Sequence, residues 1–341
     1  MQQAGRTRRQ LTRSSAGQVL LPRMATLPTR ASECYNSIVI EPPDHSEALL
    51  RAAMFEHLDR LLQTSPDGAL ASADINTFNF DSRPIRLIVQ SGIWKPAGFH
   101  AALTIRTTFT PPNQPPPYAD DLGDDGLVRY KYRGTDPNHA DNRALRVAMI
   151  QGLPLAYFVG VARGVYVPRY PVWLVEEDPA RHEFAIAVDE GQRFIDLSSL
   201  APPQRAYLER LTSVRLHQPV FRARVLRAYG ERCAMCRLHE AQLLDAAHII
   251  PDGQPKGDPV VPNGLALCKI HHAAYDVNLI GVRPNLVVEV AQRLLDDTDG
   301  PMLRHGLHEM AGAQLLVPRE RTAHPDPERL ELRYEQFRAA S

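Results

Sequence analysis

Three things this sequence lacks narrow it before any motif is read. It has no surplus of charge, because Lys plus Arg and Asp plus Glu number 39 each. Net charge therefore gives no attraction to a polyanion, and a nucleic-acid partner would have to meet a local cluster. It has no apolar run of about 18 residues, the length a helix needs to cross a bilayer, so no membrane partner is expected. It has only four cysteines in 341 residues, too few for a small secreted scaffold stapled by disulfides.

What is present is ordinary for a globular protein, with 44% hydrophobic and 23% charged residues. The length exceeds the roughly 100 to 200 residues of a common domain, so two domains are expected. Three of the cysteines, Cys233, Cys236 and Cys268, fall at metal-ligand spacing. That pattern reads as metal binding in a reducing compartment, and a cytoplasmic location is the expectation. Cys34 stands alone and is expected to be a small buried apolar residue. The first 30 residues hold six arginines, no acid and no apolar signal region. Residues 1–33 are expected to form a disordered basic tail; a transit peptide, or a true start at Met24, fits the composition as well.

The organisation follows from periodicity. From Asp44 to Thr64 apolar residues recur at the three-to-four spacing of a helix. Short β-type runs then cover 85–89, 101–109, 127–132, 155–161, 165–167, 172–175 and 184–188. They predict a strand-rich, mixed α+β domain over residues 34–200. The prolines at 111, 112, 115, 116 and 117 cannot supply ladder donors and predict a connecting loop. Helical patterns over Gln204–Leu211 and Pro219–Tyr229 follow, with the boundary near Ala201: a linker at 201–216, then a second domain over 217–341 with its core at 225–290. Between Ala201 and Glu240, eight arginines face three glutamates. Such a stretch is either a phosphate-binding surface or a solvated helix face.

The chemistry concentrates in Cys233-Ala-Met-Cys236, Asp245-Ala-Ala-His248-Ile-Ile-Pro251 and Asn263-Gly-Leu-Ala-Leu-Cys268-Lys-Ile-His271-His272-Ala-Ala-Tyr275-Asp276. A Cys-x-x-Cys followed about thirty residues later by Cys-x-x-His offers three thiolates and an imidazole. That set closes a tetrahedral, structural zinc site through Cys233, Cys236, Cys268 and His271. Its binding free energy would replace core that a small unit lacks.

Inside the zinc-defined loop, the order His248, Asn263, His272 resembles the HNH (ββα-metal) nuclease family, and within it the McrA-like restriction endonucleases, over roughly residues 217–290. The resemblance implies a β-hairpin and helix gripping one divalent ion, and cleavage of phosphodiester bonds. His248 matches the general base, Asn263 the asparagine that braces the hairpin loop, and His272 the metal-binding histidine. His272 and Asp276 are four apart on a predicted helix and share a face, so both are expected to hold the catalytic ion. Mg²⁺ or Mn²⁺ suits such a site, and Co²⁺ or Ni²⁺ would also accept an imidazole. Many relatives carry a ligand just before the base; here Ala247 stands there. Asp245 is expected to be structural, since strand alternation separates it from His248.

Arg222, Arg224 and Arg227 are expected to contact the DNA backbone. The N-terminal order of elements resembles SRA or PUA-like readers of modified bases, which implies base flipping into a pocket that Trp94, Tyr130, Tyr132 and Asn142 would line; alternatively these aromatics are core. The expected protein is thus a metal-dependent restriction-type endonuclease, with double-stranded DNA, unmodified or modified, as partner and a homodimer as assembly. A non-catalytic zinc module that binds nucleic acid is the alternative, although it would need neither His248 nor His272.

Overall fold

The computed structural model describes residues 45–110, 123, 125–194, 201–298 and 300–340. The expectations for the basic tail, Cys34 and the proline-rich loop lie outside the described residues.

The first predicted helix is present as α1 (His45–Gln63). A mixed seven-stranded sheet follows, with β1 (Leu70–Ala71), β2 (Ile93–Trp94), β3 (Thr104–Thr107), β4 (Val128–Lys131), β5 (Leu155–Ala162), β6 (Val165–Asp178) and β7 (Glu183–Ala187). Its order is β2-β3-β5-β6-β7-β4, with β1 paired to the start of β6. Only β3 and β5 run parallel, joined across the helix α2 (Ala140–Ile150). Leu50, Met54 and Leu58 of α1 pack on Leu103 and Phe158 at one face of the sheet. The other face holds Tyr130, Tyr132, Tyr157, Leu174 and Phe184 with Leu145 and Ala148 of α2.

Two strand expectations change. Residues 85–89 form no strand, because the side-chain Oδ1 of Asn76 accepts from the backbone N–H groups of Leu87 (2.8 Å) and Ile88 (2.9 Å) in place of a ladder. Residues 165–167 and 172–175 belong to one long strand, β6, which pairs with β5 in its first half and β7 in its second. A 14-residue strand shared in this way bends the sheet.

The segment expected as a linker is helical: α3 (Pro202–Thr212) runs through a π turn (Ser213–His217) into α4 (Gln218–Ala228). Pro219 has no N–H to give to the preceding turn, which accounts for a break in regular α geometry at that point. Helix α4 serves two cores. Its Val220 and Ala223 join the sheet core, while Phe221, Val225 and Leu226 join the core of the C-terminal half.

That second core encloses an antiparallel hairpin of β8 (Leu244–His248) and β9 (Gly264–Cys268), followed by α5 (Lys269–Asp276). A second hairpin, β10 (Ile280–Val282) with β11 (Val288–Val290), and the terminal helix α6 (Pro327–Ala340) complete it. The fold is therefore α+β, with a strand-rich N-terminal region and a ββα C-terminal unit. No helix among the described residues is long and apolar enough to cross a membrane.

Candidate functional site

Cys233 and Cys236 lie on the turn after α4, and Cys268 closes β9 one residue before α5 begins. Register pairs Cys268 with Leu244, and the Cys233 sulfur accepts from the Cys268 backbone N–H at 3.3 Å. His271, on the first turn of α5, points back into this cluster. Its Nδ1 is 3.4 Å from Cys233 Sγ and 3.2 Å from Cys268 Sγ. All four ligand atoms lie within 4.8 Å of one another. With Zn–S near 2.3 Å and Zn–N near 2.0 Å, tetrahedral ligands sit roughly 3.5 Å apart, so these residues fit zinc. His271 Nε2 donates to the Gly306 carbonyl at 2.7 Å, which fixes the tautomer that turns Nδ1 toward the metal. Hydrogen bonds from Cys236 and Cys268 hold the Cys233 thiol far below its usual range. Burial disfavours charge on His271, yet its bonds to Cys233 and Cys268 raise it to about 10. The cluster thus holds protons that a divalent ion would displace.

His248 ends β8. Its ring stacks on Phe221 of α4, with centroids 4.1 Å apart and planes 21° apart, and its Nε2 is buried without a hydrogen-bond partner among the described residues. Burial lowers its pKa; Asp252 opposes this, the charge of His272 reinforces it and Asp276 opposes it. His248 is therefore neutral near pH 7, with a ring nitrogen free to take a proton.

Helix α5 presents His271 and His272 in different directions, as two jobs for adjacent residues require. His272 Nε2 lies 3.3 Å from Asp276 Oδ2, and Nδ1 lies 3.4 Å from Asp245 Oδ2. An imidazole and a carboxylate this close can share one cation; two oxygen or nitrogen ligands of an octahedral ion sit roughly 3 Å apart. Asp245 is not remote from the site, contrary to the strand-alternation argument. Helix α5 crosses the hairpin so that His272 leans over the start of β8, and Asp245 reaches it. Against a burial penalty, bonds from Lys269 and His272 hold the Asp245 carboxyl below its usual range.

Asn263 is fully buried. Its Oδ1 accepts from Ile250 N at 2.9 Å, and its Nδ2 donates to Ile250 O at 3.0 Å and Asp258 O at 3.1 Å. The amide is wholly spent on bracing the loop that follows His248.

The three α4 arginines have protein partners where phosphate contacts were expected. Arg222 donates to the Ala241 (2.9 Å) and Leu244 (2.8 Å) carbonyls, Arg224 to Gly160 O at 3.0 Å, and Arg227 pairs with Asp67 at 2.7 Å. They clamp the shared helix to the sheet region on one side and the hairpin on the other. The expected base pocket is only partly assembled. Tyr130 and Tyr132 line a cavity of about 110 Å³ with Gly92, Arg106 and Thr107. Trp94 does not line it. Asn142 is fully buried elsewhere, accepting from Arg133 N and donating to Arg133 O and Asp136 O.

Two contributors had no signal in sequence. Gly306, beneath His271, and Arg333 of α6 both act across long separations. Arg333 donates to the carbonyls of Tyr275 (2.6 Å) and Asp276 (3.5 Å), and its guanidinium lies 4.7 Å from the Tyr275 ring centroid.

The profile of the family described as HNH endonuclease (HNH_2) matches residues 233–283, the stretch that holds both histidine sets. No curated protein matches the chain. A solved structure, a modification-dependent TagI restriction endonuclease, is 17% identical over 72% of this chain and 85% of that one. Its TM-score of 0.27 is too low for a shared overall fold to follow. Residues 233–283 form an HNH endonuclease domain, and that domain makes the chain a nuclease.

Proposed function

We propose that this nuclease is a restriction-type endonuclease that hydrolyses phosphodiester bonds of double-stranded DNA, with His248 as general base. One observation carries the reading: a histidine whose Nε2 has no hydrogen-bond partner among the described residues and whose burial favours the neutral form, electrostatically coupled to a His272–Asp276 pair on the next helix. His248 takes a proton from the attacking water, and its stack on Phe221 fixes the ring plane for that transfer. Asp245 orients His272 through Nδ1, leaving Nε2 turned toward Asp276. Asn263 holds the loop behind the base. His272 and Asp276 are the residues that would hold Mg²⁺ or Mn²⁺, with Co²⁺ or Ni²⁺ as substitutes. Such an ion supplies Lewis-acid stabilisation of charge on the phosphate and leaving oxygen. Cys233, Cys236, Cys268 and His271 would hold structural zinc.

In this reading the N-terminal region selects the target, and the cavity beside Tyr130 and Tyr132 is where a flipped, modified base would enter. Trp94 and Asn142 have no part in it. Cutting both strands from one site per chain favours a homodimer, which light scattering would test.

The test is cleavage with Mg²⁺ or Mn²⁺ of matched plasmid and phage DNAs, unmodified or carrying methylated, hydroxymethylated or phosphorothioated sites. Cutting of one modified class supports a modification-dependent enzyme, and equal cutting of all removes that part of the proposal. His248→Ala should abolish cutting while zinc content and melting temperature stay at wild-type values. Normal cutting by that variant would refute the base assignment.

A further inference from the structure

We propose that the groove between the N-terminal sheet and the zinc-closed hairpin is a binding track for the phosphate backbone of DNA. The inference rests on the DNA-nuclease reading and adds where the duplex lies. The groove has a volume of about 1230 Å³; one wall comes from Phe109, Thr110 and Val161, the other from α4 and residues 260–262 and 316–329. Five arginines line it, at 224, 227, 232, 319 and 329.

Partners separate these arginines. Arg227 is neutralised by Asp67 at 2.7 Å and Arg329 by Asp258 at 3.1 Å. Arg224, Arg232 and Arg319 make no ion pair among the described residues. Arg224 donates one bond to Gly160 O, its Nε is buried without an acceptor, and burial lowers its pKa. A desolvated guanidinium with no counter-ion is costly unless an anion comes to it. Arg232 and Arg319 are exposed. Of the two acids in the lining, Asp326 is engaged as a helix cap, its Oδ1 accepting from the N–H groups of Glu328 and Arg329. Glu320 alone opposes the two exposed, unpaired cations, Arg232 and Arg319.

Size and position select the ligand. The volume is far larger than a single phosphate needs and suits an extended polyanion with regularly spaced charges. The wall is also continuous with the nuclease unit, for Arg232 precedes the zinc ligand Cys233 and Pro262 precedes Asn263. The chain as a whole carries no net charge, so this local surplus is what steers DNA to it.

The experiment compares wild type, Arg232→Glu/Arg319→Glu and, as a control with the same change of net charge elsewhere, Arg60→Glu/Arg83→Glu. Binding of a labelled duplex is followed by fluorescence anisotropy, without Mg²⁺ or chelator, across a salt series. Each phosphate contact contributes about 0.9 to the slope of log K against log salt, so the groove variant should lose about 2 in slope and at least about ten-fold in affinity at 0.1 M salt. The control should change by under about three-fold. Zinc content and melting temperature verify folding, and Arg232→Gln/Arg319→Gln replaces the reversal if that variant misfolds. Unchanged affinity and slope in the groove variant, with a wild type that still cuts plasmid, overturns the groove and leaves the nuclease reading standing. An equal loss in the control also overturns it, and so does competition by inorganic pyrophosphate as effective as by unlabelled DNA. A wild type that neither binds nor cuts DNA sinks both readings.

Discussion

At His248 the environment decides what an imidazole can do. Burial against Phe221 holds its pKa below the ordinary 6.5. A general base works unprotonated, so cutting is full above that depressed value and is lost as pH falls through it. The acid limb of the rate profile should therefore lie below pH 6.5 for cutting at saturating metal; a limb at or above 6.5 would contradict this environment. The linkage has the same sign. Below 6.5 the unfolded chain binds a proton that folded His248 resists, so stability also falls as pH falls. Asn263 works differently, through three buried hydrogen bonds to the loop after β8. Asn263→Ala leaves backbone groups of Ile250 unpaired and should cost about 2 to 4 kcal/mol in denaturant unfolding. Its loss of cutting should be recovered in part at lower temperature, where the loop still closes. No recovery would mean that the amide acts on the chemistry itself.

At the scale of elements, the short helix α5 is held from both ends. His271 anchors its first turn to the zinc cluster, and Arg333 of α6 grips the carbonyls at its last turn. A helix of eight residues is not stable alone, so these contacts fix where His272 and Asp276 point. Arg333→Met should lower the melting temperature and raise the Mg²⁺ concentration for half-maximal cutting several-fold, with little change in rate at saturating metal. An unchanged Mg²⁺ requirement would show that α6 only covers the core. The α5 pattern was legible, since His-x-x-x-Asp after Cys-x-x-His puts His271 beside the cysteines and His272 beside Asp276. The clamp by α6 was not, because Arg333 and Tyr275 are 58 residues apart and nothing local marks either as a partner.

For the whole molecule, α4 ties the two regions together by giving one face to each core. A fragment ending at residue 200 would expose the sheet surface that Leu216, Val220 and Ala223 cover. It should be markedly less stable and more prone to aggregation than a fragment ending at Tyr229; equal urea midpoints would rule out a structural role for the shared helix. The proposed zinc would act at the same scale. Cys236→Ser, or prolonged chelation, should release the metal and unfold the hairpin unit, seen as lost zinc content and a lower melting temperature. A zinc-free protein with wild-type melting would refute the structural assignment.

The sequence by itself determined the Cys233–Cys236–Cys268–His271 cluster, the placing of His248 beside the His272–Asp276 pair, and the division into a strand-rich region and a ββα unit. Each is written in short spacings, where ligand geometry and helix or strand periods leave few alternatives. Only the tertiary structure decided the rest: that Arg222, Arg224 and Arg227 bind protein carbonyls and a carboxylate, that Asp245 reaches His272, that Asn142 braces a turn, and that α4, just past the expected linker, is shared by two cores. A charged or amide side chain carries the same sequence signature whether it meets water, phosphate or a backbone carbonyl. Its partner is settled by which segments pack beside it, and that depends on contacts between residues far apart in the chain.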